Sequence, residues 1–315
     1  MIASLAAPVP TTEPSSRTPL ISVVIPSTSG PKCLETCLRA LEEQSLRERA
    51  EVIVVNCGRD GIDEMIGQNF PRVKLLSFSQ RKTIPEMRAI GMKLSHGTVV
   101  SVIEDHCIPD AHWCENILRA HKSWCGAVGG AVENDREITR LVDWAIFLCE
   151  YGRYMNPVPC GPAKEIPGIN ASYRREALSL VADLLEDGRS WDPILHACLR
   201  DKGIQLYSDP SIIVYHKQEL GLGDFLRQRF HYSRSFAGAL VARKNFFKKC
   251  IRATSCVALP AVLLARISAW TIGKRRHLTK FVLTLPLLAL FVSVWSWGEW
   301  VGYVFGPGES LLKVD

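Results

Sequence analysis

The sequence predicts an α/β fold in which a mostly parallel sheet is flanked by helices and followed by C-terminal membrane-associated helices. Short apolar runs alternate with helical patterns in the N-terminal part of the chain, as is typical of α/β domains. Two long apolar segments lie near the C-terminus. Between Phe225 and Lys280 there are 13 Lys and Arg residues and no Asp or Glu, and a basic block beside apolar segments suits an anionic membrane surface.

Residues 1–19 are rich in Pro, Ser and Thr. They lack the basic start and the apolar stretch of a signal peptide, so we expect a disordered leader. The rest is predicted to divide into an α/β domain at 20–220, a basic amphipathic helix at 221–250, and a membrane-associated helical hairpin with a tail at 251–315.

Four apolar runs have the length and composition of buried parallel strands. The first ends at Pro26. Helices are expected to begin at Pro31 and Pro85, because proline suits the first turn of a helix, and the second of them ends at Gly97. The predicted strands are 20–26, 51–55, 73–77 and 98–103.

Polar side chains follow two of these strands. Asn56 and Asp60 come after the second, and Glu104-Asp105-His106 comes directly after the fourth. Ligands of open α/β sheets bind beyond the carboxyl ends of the strands, so these residues are candidates for a ligand site. No GxGxxG or GxxxxGK[ST] motif follows any strand, which removes the main support for a dinucleotide site or a P-loop.

The C-terminal apolar segments are 253–273 and 281–305. The second is long enough to span a bilayer and carries a cluster of Trp residues like an interfacial belt, whereas Glu299 within it needs an interfacial place or a partner. Arg266 interrupts the first. If both segments crossed a membrane, the basic loop 273–280 would face the side opposite the α/β domain, against the positive-inside tendency. A shallow hairpin or an interfacial first helix would avoid this conflict, and a pair of buried core helices is the alternative without a membrane.

The chain has 11 cysteines, an odd number. There is no CxxC pair and no export signal. We therefore expect reduced thiols that pack as small apolar side chains.

Several short motifs follow one another in a characteristic order. They are VVIP at 23–26, VVNCGRDG at 54–61, MRAIG at 87–91, SVIEDH at 101–106, Pro109 with Trp113, GINASYRR at 168–175, Asp192 eleven residues before Gly203, and VYH at 214–216. In this order and spacing they resemble the family 2 glycosyltransferases, which have the GT-A fold, over about residues 20–243.

The resemblance implies a nucleotide-diphosphate sugar as donor. Asn56 and Cys57 replace carboxylates that usually hold the base and ribose of the nucleotide, and Asp60 is the expected substitute. The synthase motif QxxRW is absent, with only a faint similarity at Gln228-Arg229-Phe230, which argues against a processive polymer synthase. The donor-binding residues that the resemblance implies are Pro26, Asn56, Asp60, Arg88, Asp105 and Asn170.

Glu104-Asp105-His106 stands where the family has its metal-binding DxD motif. Strand alternation sends Glu104 and His106 to one side and Asp105 to the other, where it would hold the nucleotide ribose or the loop. A divalent cation there would neutralise the leaving diphosphate. Imidazole favours Mn²⁺ slightly over Mg²⁺, and His216 is expected to add a ligand or to contact the diphosphate.

Two alternatives remain for this stretch. An acidic turn after a strand is a common surface feature. A zinc site could use His106, Cys107, His112 and Cys114, although their spacing fits no common zinc pattern.

Asp192 corresponds to the family's acidic catalytic residue. As a general base it would take the proton of the acceptor hydroxyl, and direct displacement would invert the sugar carbon. The alternative is a helix-start role, because Trp191-Asp192-Pro193 also suits the first turn of a helix.

These expectations combine into a metal-dependent inverting glycosyltransferase with a membrane-associated or lipid-linked acceptor, in cell-envelope or exopolysaccharide assembly. Its catalytic domain would lie on the cytoplasmic side of the inner membrane, with membrane lipids as partners. The Phe and Arg mixture at 221–247 would also suit single-stranded RNA, but the neighbouring apolar segments favour a membrane and no nucleic acid. The other hypotheses are a catalytically silent, membrane-tethered scaffold subunit, motivated by Asn56 and Cys57, and a soluble nucleotide-binding α/β module.

Overall fold

The computed structural model describes residues 18–58, 61–124, 126–186, 191–217, 220–242 and 245–314. The predicted α/β fold is confirmed, and the described residues form nine strands in one sheet. Of the predicted leader, residues 1–17 lie outside the described residues. The strands are β1 (Ile21–Ser27), β2 (Ala50–Cys57), β3 (Lys74–Phe78), β4 (Val99–Ile103), β5 (Cys107–Pro109), β6 (Ala127–Asn134), β7 (Gly161–Ala163), β8 (Asn170–Arg174) and β9 (Leu206–His216).

Helices cover both faces of the sheet and continue beyond it. They are α1 (Pro31–Glu42), α2 (Ile62–Asn69), α3 (Ile84–Leu94), α4 (Trp113–Ser123), α5 (Leu141–Glu150), α6 (Arg175–Ser179), α7 (Ala182–Glu186), α8 (Asp192–Asp201), α9 (Leu222–Val241), α10 (Phe246–Ser255), α11 (Leu259–Lys274) and α12 (Leu278–Phe305).

The sheet is mixed, with strand order β3-β2-β1-β4-β8-β6-β9-β5 and β7 beside β9. The four predicted strands, β1 to β4, are parallel to one another. β8 then lies antiparallel between β4 and β6. The expectation of a mostly parallel sheet is therefore right for the N-terminal half, and the second half adds antiparallel pairs.

β1 is buried along its whole length, with all seven of its residues inside. Val23 and Ile25 pack into the core on one face of the sheet, and Val24 packs into the core on the other. Pro26 fits in this central strand because the pairing with β4 ends at Val24, so no ladder bond to β4 needs an N–H at Pro26.

The predicted amphipathic helix at 221–247 is two helices, α9 and α10. Asn245 starts the second, since its side chain accepts a hydrogen bond from the backbone N–H of Lys248. Glu299 has the partners that it needed, because its carboxylate accepts from Nε1 of Trp295 at 2.8 Å and from the hydroxyl of Tyr303 at 2.9 Å.

Among the described residues, α12 is the one helix long and apolar enough to cross a membrane by itself. α10 and α11 pass the same test only as a pair, and they are bent by 59° at their junction. By length and composition alone, this leaves a membrane segment and a core helix as alternatives.

Candidate active site

Arg88 joins the two acids to which the sequence assigned different roles. Its Nη1 donates to both carboxylate oxygens of Asp192, at 2.6 and 2.7 Å, and its Nη2 donates to Oε1 of Glu104 at 2.6 Å. Burial alone would lower the pKa of Arg88, but the charges of Asp192 and Glu104 outweigh it and raise the pKa, so the guanidinium stays charged. Three predicted site residues therefore meet, from α3, the end of β4 and the start of α8.

Asp192 is the first residue of α8, with Trp191 before it and Pro193 after it. Trp191 occupies the cap position and makes no side-chain capping hydrogen bond within the described residues, and 27% of the Asp192 side chain is exposed. A helix-start role accounts for the position of Asp192 but not for the orientation of its carboxylate, which faces Arg88.

Gly168, the first residue of the GINASYRR motif, lies against the same carboxylate. A Cβ atom at this position would lie 1.8 Å from Oδ2 of Asp192. The absence of a side chain at Gly168 is thus what lets the Asp192 carboxylate occupy its place.

Glu104 and His106 face the same cavity, whereas Asp105 points into the loop after β1. Nε2 of His106 lies 3.3 Å from Oε2 of Glu104. Oδ2 of Asp105 accepts hydrogen bonds from the backbone N–H groups of Thr28 and Ser29, both at 2.7 Å. Of the two roles expected for Asp105, the contact with the loop is present, and donor binding remains a prediction.

His106 is buried beside two carboxylates. Its Nδ1 lies 3.3 Å from Asp105 and 3.1 Å from the Ser29 hydroxyl, while its Nε2 has no hydrogen-bond partner among the described residues. Burial would lower the pKa of His106, but the hydrogen bond with Asp105 and the charge of Glu104 outweigh it and raise the pKa.

The spacing between Oε2 of Glu104 and Nε2 of His106 suits two ligands of one metal ion. Two ligand atoms about 2.1 Å from one cation and roughly at right angles lie about 3 Å apart. Oε1 of Glu104 is engaged by Arg88. Within the described ranges, no group of three His, Cys, Asp or Glu side chains is arranged to hold a metal ion. Further ligands would therefore be phosphate oxygens and water, as is common for Mg²⁺.

Because no group of three metal-ligating side chains occurs within the described ranges, the zinc alternative is not supported. Cys107 and Cys114 are fully buried in the apolar core, as expected for reduced thiols. His112 is exposed and lies 3.6 Å from Glu115 instead.

His216 lies behind His106. The two rings are 5.0 Å apart, edge to face, and the Tyr151 ring is 4.8 Å from His216 on another side. His216 is not among the residues that line the cavity in front of Glu104.

Asn170 forms side-chain hydrogen bonds to α4, β6 and β9. Its side-chain oxygen accepts from Nε1 of Trp113 at 2.9 Å, and its Nδ2 donates to the backbone oxygens of Ala131 and Ile212 at 2.8 and 3.0 Å. The amide is thus directed at the sheet and not at the cavity.

The other donor-binding candidates lie at the ends of β1 and β2. Pro26 is buried in β1, and Asp60 lies outside the described residues. Asn56 donates to Oδ1 of Asp63 at 3.3 Å, and the same oxygen accepts from the Ser77 hydroxyl at 2.6 Å. Asp63 was not predicted from the sequence, although its place two residues after the Gly61 turn was a usable signal.

A cavity of about 510 Å³ extends from Arg88, Glu104, His106 and Asp192 to the C-terminal helices. Arg266, which interrupts the first apolar segment, lines it. The helices α9, α11 and α12 contribute the far wall, with Gln228, Arg229, Tyr232, Leu263, Arg266, Ile267, Trp270 and Trp295.

A second buried ion pair lies in this far wall. Nη1 of Arg229 donates to Oε1 of Glu150 at 2.8 Å, and the guanidinium lies 4.4 Å from the Tyr232 ring centre and 4.3 Å from that of Trp295. Burial raises the pKa of Glu150 although Arg229 opposes this. The pair was not predicted, because no motif contains Glu150.

Residues 22–181 match the profile of Glycosyl transferase family 2, which is about half of the chain. The glycosyltransferase AglE of Haloferax volcanii is 26% identical over 125 residues, which are 38% of this chain and 41% of that protein. The alignment thus spans about two fifths of the length of this curated relative.

A solved structure of the mannosyltransferase PcManGT from Pyrobaculum calidifontis, in complex with GDP-Man and Mn²⁺, has a similar fold. The TM-score is 0.52 at 17% identity, and the likeness covers 94% of this chain and 88% of that one. This likeness confirms the GT-A fold. The family match includes the motifs from VVIP to GINASYRR, and the chain belongs to glycosyl transferase family 2.

Proposed function

We propose that the protein is an inverting, metal-dependent glycosyltransferase that moves a sugar from a nucleotide-diphosphate donor to a membrane-associated or lipid-linked acceptor. The observation that carries this proposal is the bridge from Asp192 through Arg88 to Glu104, at one end of a cavity walled by the C-terminal helices. Family membership supports the reaction class. The complex of PcManGT with GDP-Man and Mn²⁺ supports a nucleotide sugar and a divalent metal.

Asp192 acts as the general base in this proposal. Its carboxylate accepts the proton of the acceptor hydroxyl while the hydroxyl oxygen bonds to the anomeric carbon. The bond from that carbon to the donor diphosphate breaks on the opposite face, so the configuration inverts. Arg88 donates to both carboxylate oxygens of Asp192 and thereby fixes its orientation.

Glu104 and His106 would hold a divalent cation through Oε2 and Nε2. When bound, the cation neutralises the charge that develops on the departing diphosphate. Arg88 lies beside Glu104 and lines the same cavity, and both of its terminal nitrogens donate to carboxylates.

The far wall of the cavity supports an acceptor attached to a lipid. Leu263, Ile267 and Trp270 are apolar, and Arg266 among them can pair with an anionic group. Arg153 lies 5.8 Å from the Trp270 ring and adds a second cation. An enzyme of this kind would serve cell-envelope or exopolysaccharide assembly from the cytoplasmic face of the inner membrane.

Release of nucleoside diphosphate from a panel of nucleotide sugars with Mn²⁺ tests this function in the full chain. Asp192→Asn and Glu104→Gln should each lower turnover by about a hundredfold or more. Asp201→Asn, at the other end of the same helix, and Glu115→Gln are the matched controls and should keep wild-type turnover. Normal turnover by Asp192→Asn would contradict its role as the base.

A silent binding subunit is the second candidate, and two observations favour it. Arg88 already forms ion pairs with both Glu104 and Asp192, and Asn56 stands where a carboxylate is usual. Calorimetry that shows nucleotide-sugar binding without turnover would establish this candidate. A complete lack of nucleotide binding would overturn both.

A further inference from the structure

The helices α10 to α12 expose a large apolar surface, here called the apolar face. Fourteen of the nineteen large apolar side chains that are exposed in the described residues lie between Phe246 and Phe305. Phe246 is 81% exposed and Val257 is 87% exposed. Along α12 the exposed apolar side chains of Val282, Leu290, Trp297 and Val304 lie seven or eight residues apart, which is about two helical turns, so they share one side of the helix. A monomeric soluble protein rarely exposes a patch of this size.

The loop between α11 and α12 is attached to the catalytic domain. Nζ of Lys274 donates to the backbone oxygens of Met155 and Pro157. Nη1 of Arg276 donates to Oε1 of Glu133 at 2.7 Å and to the backbone oxygen of Asn156 at 2.9 Å. A hairpin that crossed a bilayer would place this loop beyond a hydrocarbon core of about 30 Å, away from these partners.

α12 then runs along the catalytic domain. Phe291 contacts Phe225 in α9, and Gly298 lies against the backbone of Phe230 further along the same helix. The C-terminal end of α12 reaches Gly238, where Pro307 follows it. One side of α12 is thus covered by α9 along most of its length, and the other side belongs to the apolar face.

Basic residues accompany the apolar face. In α10, Lys248 and Arg252 are exposed next to Phe246, Phe247 and Ile251. Cationic and aromatic side chains together are typical of helices that lie in a membrane interface and contact anionic lipids.

We propose that α10, α11 and α12 lie in one leaflet of an anionic membrane without crossing it, with their connecting loop on the side of the catalytic domain. This deepens the membrane association of the proposed function and rests on it. The occupant of the apolar face is a lipid bilayer, and the basic loop faces the cytoplasmic side, which resolves the charge conflict of a two-pass arrangement.

Sidedness is tested in proteoliposomes of phosphatidylcholine and phosphatidylglycerol with the full chain and a membrane-impermeant maleimide. Labelling of Arg275→Cys in the loop is compared by peptide mass spectrometry with that of native Cys160, which is exposed on the catalytic domain. Equal labelling of both sites without detergent is expected. Labelling of position 275 only after detergent, with Cys160 labelled before, would overturn the proposal.

Vesicle flotation tests the charged contact. The double variant Lys248→Glu, Arg252→Glu should bind vesicles that contain phosphatidylglycerol about tenfold or more weakly than the wild type. Lys202→Glu, exposed on the catalytic domain, should bind as the wild type does. Unchanged binding by the double variant would contradict the anionic-lipid contact. Nucleoside-diphosphate release, measured on the same samples, separates a failure of this inference from a failure of the proposed function.

Discussion

Arg88 contacts both acids through different nitrogens, and this geometry depends on its planar guanidinium group. A lysine presents one point charge and cannot hold two carboxylates in fixed positions. Because Arg88 is buried, its removal would also leave Glu104 and Asp192 without compensation, at a cost of about 3–5 kcal/mol. Arg88→Lys therefore keeps the positive charge at this position but loses the fixed orientation of the two carboxylates.

Arg88→Lys is expected to lower kcat by about tenfold or more, since Asp192 loses its orientation while the site keeps a cation. Steady-state kinetics measures this, and urea unfolding checks that the variant is folded. Arg175→Lys is the control, because Arg175 donates to Gly97 and Ser95 and does not line the cavity. An equal loss in both variants would argue against a special role for Arg88.

Gly168→Ala should lower kcat by about a hundredfold, because the new methyl group would displace the Asp192 carboxylate. The stability should change little, since the displaced group is the end of a partly exposed side chain. Gly223→Ala is the matched control in open space. Thermal unfolding and turnover are measured together, and a variant with full activity would show that the carboxylate position is not critical.

Among the secondary-structure elements, Glu51 links three neighbouring strands to the turn before β4. Glu51 in β2 accepts from the Ser22 hydroxyl at 2.5 Å, from Nζ of Lys74 at 2.5 Å and from the backbone N–H of His96 at 2.8 Å. Burial opposes ionisation, but these contacts outweigh it and lower the pKa of Glu51 to about 2. β1, β2, β3 and the turn before β4 are thereby joined at one carboxylate.

Glu51→Gln should reduce the free energy of unfolding at neutral pH by on the order of 3 kcal/mol. Because the folded pKa lies below the unfolded value of about 4.3, this stabilisation is complete above that value and is lost as the pH falls toward 2. Urea unfolding from pH 7 to pH 3 should show wild type and variant converging. Glu64 lies on an exposed helix face. The difference in unfolding free energy between the wild type and Glu64→Gln should therefore not shrink as the pH falls.

Close packing between α9 and α12 depends on two glycines one turn apart. A Cβ atom at Gly298 would lie 2.5 Å from the backbone oxygen of Phe230, and one at Gly302 would lie 2.4 Å from that of Arg234. Small residues four apart allow such close approach between helices. The GEWVG segment at 298–302 carries this four-residue spacing of glycines in the sequence.

Gly302→Ala should destabilise the chain by about 1–3 kcal/mol, because backbone atoms of α9 cannot move aside for the methyl group. Thermal unfolding in detergent measures the effect. Gly273→Ala is the control, since nothing lies within 4 Å of its added Cβ atom. A variant at 302 as stable as the one at 273 would contradict the close contact.

For the whole molecule, the order of β1 to β4 could be predicted because each is an apolar run ended by a turn. β5, β7 and β8 could not, since they are short and their pairing depends on distant partners such as β9. The motif order singled out Arg88, Glu104 and Asp192, but not their ion pairs, because Arg88 and Asp192 are 104 residues apart. Glu150 and Arg229 are 79 residues apart and belong to no common motif, so only the fold reveals them.

The helix α11 separates the cavity from the apolar face. Leu263 and Ile267 line the cavity, while Val262 and Ile272 are exposed on the apolar face. An acceptor dissolved in the lipid layer would therefore reach Asp192 by lateral diffusion in two dimensions. Its supply would follow its mole fraction in that layer, so dilution with inert lipid would slow turnover at a constant total amount of acceptor.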